Sequence, residues 1–546
     1  MANTLTTSLS GLQAAERAIA TTSHNIANAN TVGYSRQRTL NTSIQPTSMR
    51  ADSTGSGVRT ASIQRVHDQI TESRLLSATT ELNRVGTVSQ MTERLNTLFS
   101  EENSGLNSAQ INFFNALEEA GNNPHSSVPA QQAIATAETL SSRFNFVGDQ
   151  LSSLQKELNS DIKNSVSQIN NLASSIYSIN KEISNMAGAG EGTPPNDLLD
   201  QRDQLLQQLS GYVDVGVSTR DRNGIDLTLG NGLALVTLAG PVLLNTEVNS
   251  ADPGKLAFSM QTRNGSRAIS DPPGGGILGG LLEFNQQTLD PVRQEVGRLA
   301  AVLAANTNTA FGLTASNNPS APPTGAEFFN QPAITAFENA GNQGSATVTA
   351  NMIDPKVTVP SNYKMTFDGS EYTLTRLSDN TQLTGTGDLL MDGIQFTSNG
   401  NAVAGDSFLI QPFTQGASLF SVANPDPSGL ADMVGNSQQQ LIPVAQRMAE
   451  VQNSILFGDE STTLTEQYAT IVTNVGTTAR TAEIQLQSMQ NILEETQLNH
   501  DQISAVSLDE EAANLIKYQQ TYEAAARVMT VSGTLFDTLL GTLNRI

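Results

Sequence analysis

The sequence predicts an elongated α+β chain of several domains, with a terminal α-helical coiled-coil stem, a helical-bundle domain, and β-rich insertions in the middle of the chain. Three observations predict it. Apolar residues recur at helical spacing at both ends. A long row of three- and four-residue steps ends near Met186. Two stretches between the helical regions alternate like strands and are broken by Asn-Gly and Asp-Gly turns.

Leu5, Leu12, Ile19 and Ile26 are seven residues apart, with Leu9 beside them, a stripe that a helix buries against another helix. The turn-rich Asn28-Ala29-Asn30-Thr31-Val32-Gly33-Tyr34 ends that pattern, and short extended segments follow to about Val66, interrupted by Gly55 and Gly57. A long helical region then runs to about Met186. Its strongest part is Leu151, Leu154, Leu158, Ile162, Val166, Ile169, Leu172, Ile176, Ile179 and Ile183, the pattern of a rod-like helix in a bundle. Gly188 to Pro195 breaks it, and Asn196 or Asp197 is suited to cap a further helix through Leu209.

Strand-like runs occupy Gly211 to about Ser270, with hairpin signals at Asn223-Gly224, Asn231-Gly232 and Asn264-Gly265. Helix returns from Leu281 to about Ala305. A second strand-rich block lies between about Thr347 and Pro412, where Tyr363 to Phe367 and Glu371 to Thr375 alternate on either side of Asp368-Gly369. From about Gly429 to the end the pattern is helical again. There Leu508, Leu515, Tyr522, Met529 and Phe536 keep the seven-residue step, with Leu540 four residues beyond. Ser507 and Glu510 have the spacing of a capping box, which puts Asp509, Glu510 and Glu511 at the positive end of the last helix dipole.

The domains expected from this order are discontinuous. Residues 1–66 with 500–546 form a terminal assembly domain. Residues 67–210 with 276–345 and 429–499 form the long-helix bundle, 211–275 a β-rich subdomain, and 346–428 an inserted β-rich domain.

Composition excludes several functions. Lys and Arg total 29 against 52 acids, a net charge of −23, which opposes binding to nucleic acid or an anionic membrane surface. No cysteine is present, so disulfides, thiolate catalysis and Cys-ligated zinc are excluded. No window approaches a membrane span, and the first residues lack the basic start and apolar core of a cleaved secretory signal. The four histidines, His24, His67, His125 and His500, lack the helix spacing of a zinc motif and read as surface or capping residues. The acidic pairs Glu118-Glu119 and Glu494-Glu495 read as solvated helix faces. Gly274-x-Gly276-x-x-Gly279 matches the dinucleotide fingerprint in letters, but it follows Pro272-Pro273 rather than a strand, and reads as an entry into a helix. No enzyme, metal or cofactor is expected.

The residues at the ends carry a resemblance. Ser10-Gly11-Leu12 followed by Thr22-Ser23-His24-Asn25-Ile26-Ala27-Asn28-Ala29-Asn30-Thr31-Val32-Gly33-Tyr34-Ser35-Arg36-Gln37 resembles the N-terminal signature of flagellar rod, hook and hook-associated proteins. Ser507 to Leu515, Tyr518-Gln519-Gln520, Ala525 to Val528 and Leu535 to Leu540 are similar to the flagellar hook-associated protein 1 family. Asn196 to Asp203, Gly279 to Phe284 and Gly405 to Phe408 agree with it. The resemblance implies a structural protein of the bacterial flagellum at the hook–filament junction, needed for filament assembly and exported by the flagellar type III system to the cell exterior. It also implies self-association in a ring of about eleven subunits. The implied partners are the hook protein, the second hook–filament junction protein, and a cytosolic export chaperone on the C-terminal helix. A hook or distal-rod protein, or an axial protein carrying a wall hydrolase, are the competing readings.

Combining pattern and resemblance, the expected packing residues are Leu5, Leu9, Leu12, Ile19 and Ile26 against Leu508, Leu515, Tyr522, Met529 and Phe536 within one subunit. Leu540 extends the stripe, and part of it is left for neighbouring subunits.

Overall fold

The chain leaves along helices and returns along helices, so that its two ends lie side by side. The computed structural model describes residues 2–45, 55–100, 105–188, 195–220, 223–262, 265–312, 327–423, 426–435, 441–458 and 462–543. Its helices are α1 (Ala2–Ala27), α2 (Gln69–Phe99), α3 (Leu106–Asn122), α4 (Ser127–Gly188), α5 (Asn196–Tyr212), α6 (Gly276–Phe284), α7 (Asp290–Gly312), α8 (Val444–Glu450), α9 (Leu464–Ser504) and α10 (Leu508–Leu543). One π turn, Asn285–Leu289, joins α6 to α7.

Helix α1 packs antiparallel to α10, and α2 packs antiparallel to α9. Strands β1 (Gln37–Ser43) and β2 (Val58–Arg65) form an antiparallel hairpin against α1, with Gln37 opposite Arg65 and a register shift at Leu40/Asn41. Together α1, the hairpin and α10 make a terminal module. It begins later than the expected residue 500, because α9 continues unbroken to Ser504 and the chain turns only at Ala505.

The expected rod is the last part of α4, which is 62 residues long and therefore about 93 Å from end to end. Its row Leu158, Ile162, Val166, Ile169 and Ile176 is buried. One continuous core joins these residues to Leu95, Phe113, Leu209, Phe284, Leu299 and Leu464 from the other helices. The strands between Val215 and Ile269 form a four-stranded and a three-stranded sheet, both antiparallel. Their Ile225, Leu227, Val236 and Leu244 enter the same core, so this β block is a cover on the bundle rather than a body with its own interior. Its turns sit at Asn223, which is left-handed, and at Gly232. Asn264 of the third expected turn lies outside the described residues.

The inserted β domain has a separate core of Tyr363, Met365, Leu374, Ile394, Phe396, Phe408 and Ile410. Strands Thr335–Glu338, Ser407–Gln411, Tyr363–Phe367, Tyr372–Arg376 and Gln382–Gly385 form its five-stranded sheet in that order, and Thr347–Met352, Ile394–Asn399 and Leu389–Met391 form a three-stranded one. The sheet starts before the expected boundary at 346, since Thr335–Glu338 pairs with Ser407–Gln411. Asp406 closes that end of the domain: its carboxylate accepts from the amides of Val403 and Gln343, each at 2.8 Å, and of Gly344 at 3.1 Å.

Two helix starts differ from expectation. Helix α5 follows Pro195 without a side-chain cap, because Asn196 donates to Gln37 Oε1 and the Ile63 carbonyl instead. At α10 the box is half formed: Ser507 Oγ accepts from the Glu510 amide at 3.5 Å, while the Glu510 carboxylate pairs with Arg36. A full capping box opens α9, between Thr463 and Glu466.

Candidate functional site

The seam between α1 and α10 is made of small residues. On α1 the buried positions are Ser8, Ala14, Ala15, Ala18, Thr21, Thr22 and Asn25, which share one side of the helix. A Cβ built on Gly11 would lie 3.8 Å from the Ala525 Cβ, an ordinary contact, so the helices approach closely there. On α10 the buried side chains are Glu511 and Ser532.

The expected leucine seam is therefore displaced. Leu12, Ile19 and Ile26 are half-buried on the flank of the alanine stripe, and Leu5 and Leu9 are 38% and 41% exposed. On α10 Leu515 and Met529 are half-buried, whereas Leu508, Tyr522, Phe536 and Leu540 are exposed. Ile516, Val528, Val531, Leu535 and Leu539 are exposed with them. Alanine and threonine let the two helices lie close, so larger side chains flank the line of contact. Phe536, Leu539 and Leu540 are exposed because α10 extends past the level of Ala2, where the described part of α1 begins. At helical spacing Leu508, Tyr522, Phe536 and Leu540 share one side of α10, while Val528, Val531, Leu535 and Leu539 lie on the other; exposed apolar side chains in such number mark a site of protein–protein contact.

Asn25, 1% exposed, ties the module together. Its Nδ2 donates to the Gln37 carbonyl at 2.8 Å and to Glu511 Oε2 at 3.0 Å. Its Oδ1 accepts from the Tyr34 hydroxyl at 2.8 Å and the Gln37 amide at 3.0 Å. One side chain thus joins α1, the turn after it, β1 and α10. Burial, together with Asp200, Asp197 and Glu511, pushes the Tyr34 phenol well above its ordinary range, so it stays a donor.

The module meets the body on one face of α5, through polar groups. Asp200 accepts from the Ser35 amide at 3.2 Å and from Arg65 at 2.7 Å, and Asp203 accepts from Arg65 at 2.6 Å. Gln204 donates to the Val32 carbonyl. These contacts account for Asn196 to Asp203, a stretch singled out in the sequence without a role. No pattern within it shows which residues 130 or more positions away it meets.

Little else points to chemistry. Glu118, Glu119, Glu494 and Glu495 are exposed on helices. In the glycine-rich stretch, Gly275 and Gly276 have φ of +78° and +56°, and a Cβ on Gly276 would collide with the Tyr212–Val213 backbone. That is a packed helix entry, with Gly280 seated against the Arg84 carbonyl. His24 Nδ1 lies 2.9 Å from the Tyr34 hydroxyl, as a surface residue would. His67 is different: its Nδ1 is 2.9 Å from Glu72, beside Asp203, and spacing along the sequence gave no sign of that meeting. No described helix is long and apolar enough to cross a membrane.

Similarity to known proteins covers the whole chain. Residues 92–329 match the flagellar hook-associated protein FlgK helical domain, and 337–412 the D2-like domain of flagellar hook-associated protein 1. Residues 5–34 match the flagella basal body rod protein family, and 499–542 the C-terminal family of the flagellar basal body rod FlgEFG proteins. The chain is 32% identical to flagellar hook-associated protein 1 of Salmonella typhimurium, over 99% of this chain and 100% of that protein. It is 30% identical to that of Escherichia coli K12, over the same shares. To that of Bacillus subtilis it is 27% identical, over 98% of this chain and 97% of the relative. The fold matches the flagellar hook junction protein FlgK from Burkholderia pseudomallei with a TM-score of 0.70 at 22% identity, covering 80% of this chain and all of that one. With relatives of that identity matched from end to end, the chain belongs to the flagellar hook-associated protein 1 family.

Proposed function

We propose that this chain is a structural subunit of the bacterial flagellum at the hook–filament junction, with α1 and α10 as the surface on which subunits pack. The observation that carries the reading is the set of exposed apolar side chains on α10, Leu508, Tyr522, Phe536 and Leu540, on a helix of which only Glu511 and Ser532 are buried among the described residues. Each large side chain moved from water into a neighbour contributes roughly 1.5–3 kcal/mol, so a tube wall of such helices is strongly favoured over separate chains.

The same exposure supports the remaining parts of the reading. A ring of about eleven copies gives each face a neighbour. The hook protein lies on one side of that ring and the second junction protein on the other. Before assembly, an apolar helix of this kind requires cover, which an export chaperone on α10 supplies. The chain travels by the flagellar type III route to the cell exterior, and no enzymatic step is assigned to it.

Deletion of the gene is expected to leave hooks without filaments and to release filament subunits into the medium; normal filaments in the deletion strain would refute the role. Tyr522→Asp, which puts a charge on the exposed face, is expected to block incorporation while secretion continues. Normal filaments containing that variant would refute the packing surface.

A further inference from the structure

The terminal module is joined to the body by two short connections, 66–68 before α2 and 505–507 after α9. Across the first of them five charged groups meet. Arg65, the last residue of β2, is 2.6 Å from Asp203 and 2.7 Å from Asp200 on α5. His67 Nδ1, in the connection itself, is 2.9 Å from Glu72 Oε2 in the first turn of α2. Arg65, His67, Glu72 and Asp203 line a cleft of about 710 Å³ between α2, α5 and the Val215–Thr219 strand. The His67 side chain is 35% exposed, so solvent can exchange its proton, while Glu72 is 17% exposed and depends on its partner.

We propose that Arg65, His67, Glu72 and Asp203 form an ionic clasp that fixes the angle of the terminal module on the helical body, and that the clasp loosens when His67 loses its proton. These are positioning residues. The inference concerns the single chain and does not rest on the proposed function.

The groups facing His67 are Asp68 in the same connection, Glu72 from α2, Arg65 from β2, Asp203 and Arg202 from α5, and on the far side of Glu72, His500 from α9. The hydrogen bond to Glu72 raises His67 above its ordinary value, against burial and against Arg65. Burial pushes Glu72 up, but His67, Arg65 and His500 outweigh it and hold the carboxyl below its ordinary range. The sign follows from linkage. A histidine raised on folding contributes its full stabilisation below about pH 6.5 and loses it as pH rises through the folded value.

A bound metal is the rival use of these residues, since ligand atoms of His67, Glu72 and Asp203 lie within 4.8 Å of one another. The charges decide against it. Arg65 already occupies an Asp203 oxygen, and Arg202 Nε stands 3.8 Å from the other, so guanidinium groups supply the positive charge a cation would bring.

The chain has no cysteine, so paired spin labels can be placed at Gln13→Cys on α1 and Ser175→Cys on α4, both exposed, in the full-length monomer. The label-to-label distance distribution is measured from about pH 5.5 to about pH 8.5. The distribution is expected to be narrow at the acid end and at least twice as broad at the alkaline end. His67→Gln, and independently Glu72→Gln, should be broad throughout, His67→Lys narrow throughout, and His500→Gln should keep the wild-type response. A width in the wild type that does not change with pH overturns the proposal, as does a response lost in His500→Gln. Zinc chloride that raises the thermal midpoint of the wild type but not of His67→Gln also overturns it, in favour of a cation site.

Discussion

Helices α1 and α4 both carry apolar residues at helical spacing, yet they hide opposite things. Helix α4 buries its leucines and isoleucines, from Leu158 to Ile176, in a core that seven other helices and two small sheets complete. Helix α1 buries Ala14, Ala15, Ala18 and Thr22 and leaves Leu5 and Leu9 exposed. Apolar spacing thus identifies a face that will be covered, but not what covers it. Where the small residues run in the same steps as the large ones, the small ones mark the internal contact and the large ones are free for another molecule.

The largest effect that sharpens this contrast is a pair of truncations. Leu158→Ala, at a fully buried position, is expected to cost about 2–5 kcal/mol in chemical denaturation of the free chain. Phe536→Ala, at a position 51% exposed, should stay within about 0.5 kcal/mol in the same experiment while reducing incorporation into filaments. Equal losses in the free chain would break the comparison. A smaller effect is expected from Ala18→Leu, which overfills the seam at a position 2% exposed and should cost about 1–3 kcal/mol as loss of α1 protection in hydrogen exchange. Full retention of that protection would mean that the alanine stripe is not the contact. Smallest is Gly533→Ala. A Cβ there meets nothing within 4 Å, so the free chain should gain up to about 1 kcal/mol of helix stability, read by circular dichroism. A loss of helix would show that the position is already packed.

Much of the architecture was legible in the sequence because it depends on local pattern. The α4 row, the Asn-Gly and Asp-Gly turns and the return to helix at both ends of the β blocks are each set by residues a few positions apart. The candidate face was legible in its residues but not in its direction, since Leu5 and Ala15 are equally periodic and only the close approach of α10 ranks them. The Asn25 knot and the Arg65–His67–Glu72–Asp203 cluster were hidden. Asn25 reaches Glu511 across 486 positions and Arg65 reaches Asp203 across 138, and no spacing rule spans such gaps. The boundary at 346 was missed for a related reason: Thr335–Glu338 is four residues long, and only its pairing with Ser407–Gln411 shows which domain owns it.

The length of α4 has a mechanical consequence. A helix of about 93 Å that packs on α3, α5, α6 and strands of the first β block acts as a beam, so torque applied at one end reaches the other without passing through a hinge. Compliance in the chain is then concentrated at the two short connections, 66–68 and 505–507, and at the charged seat of the terminal module on α5. A rotating assembly built from such subunits would absorb bending at those seats and transmit twist through the beams.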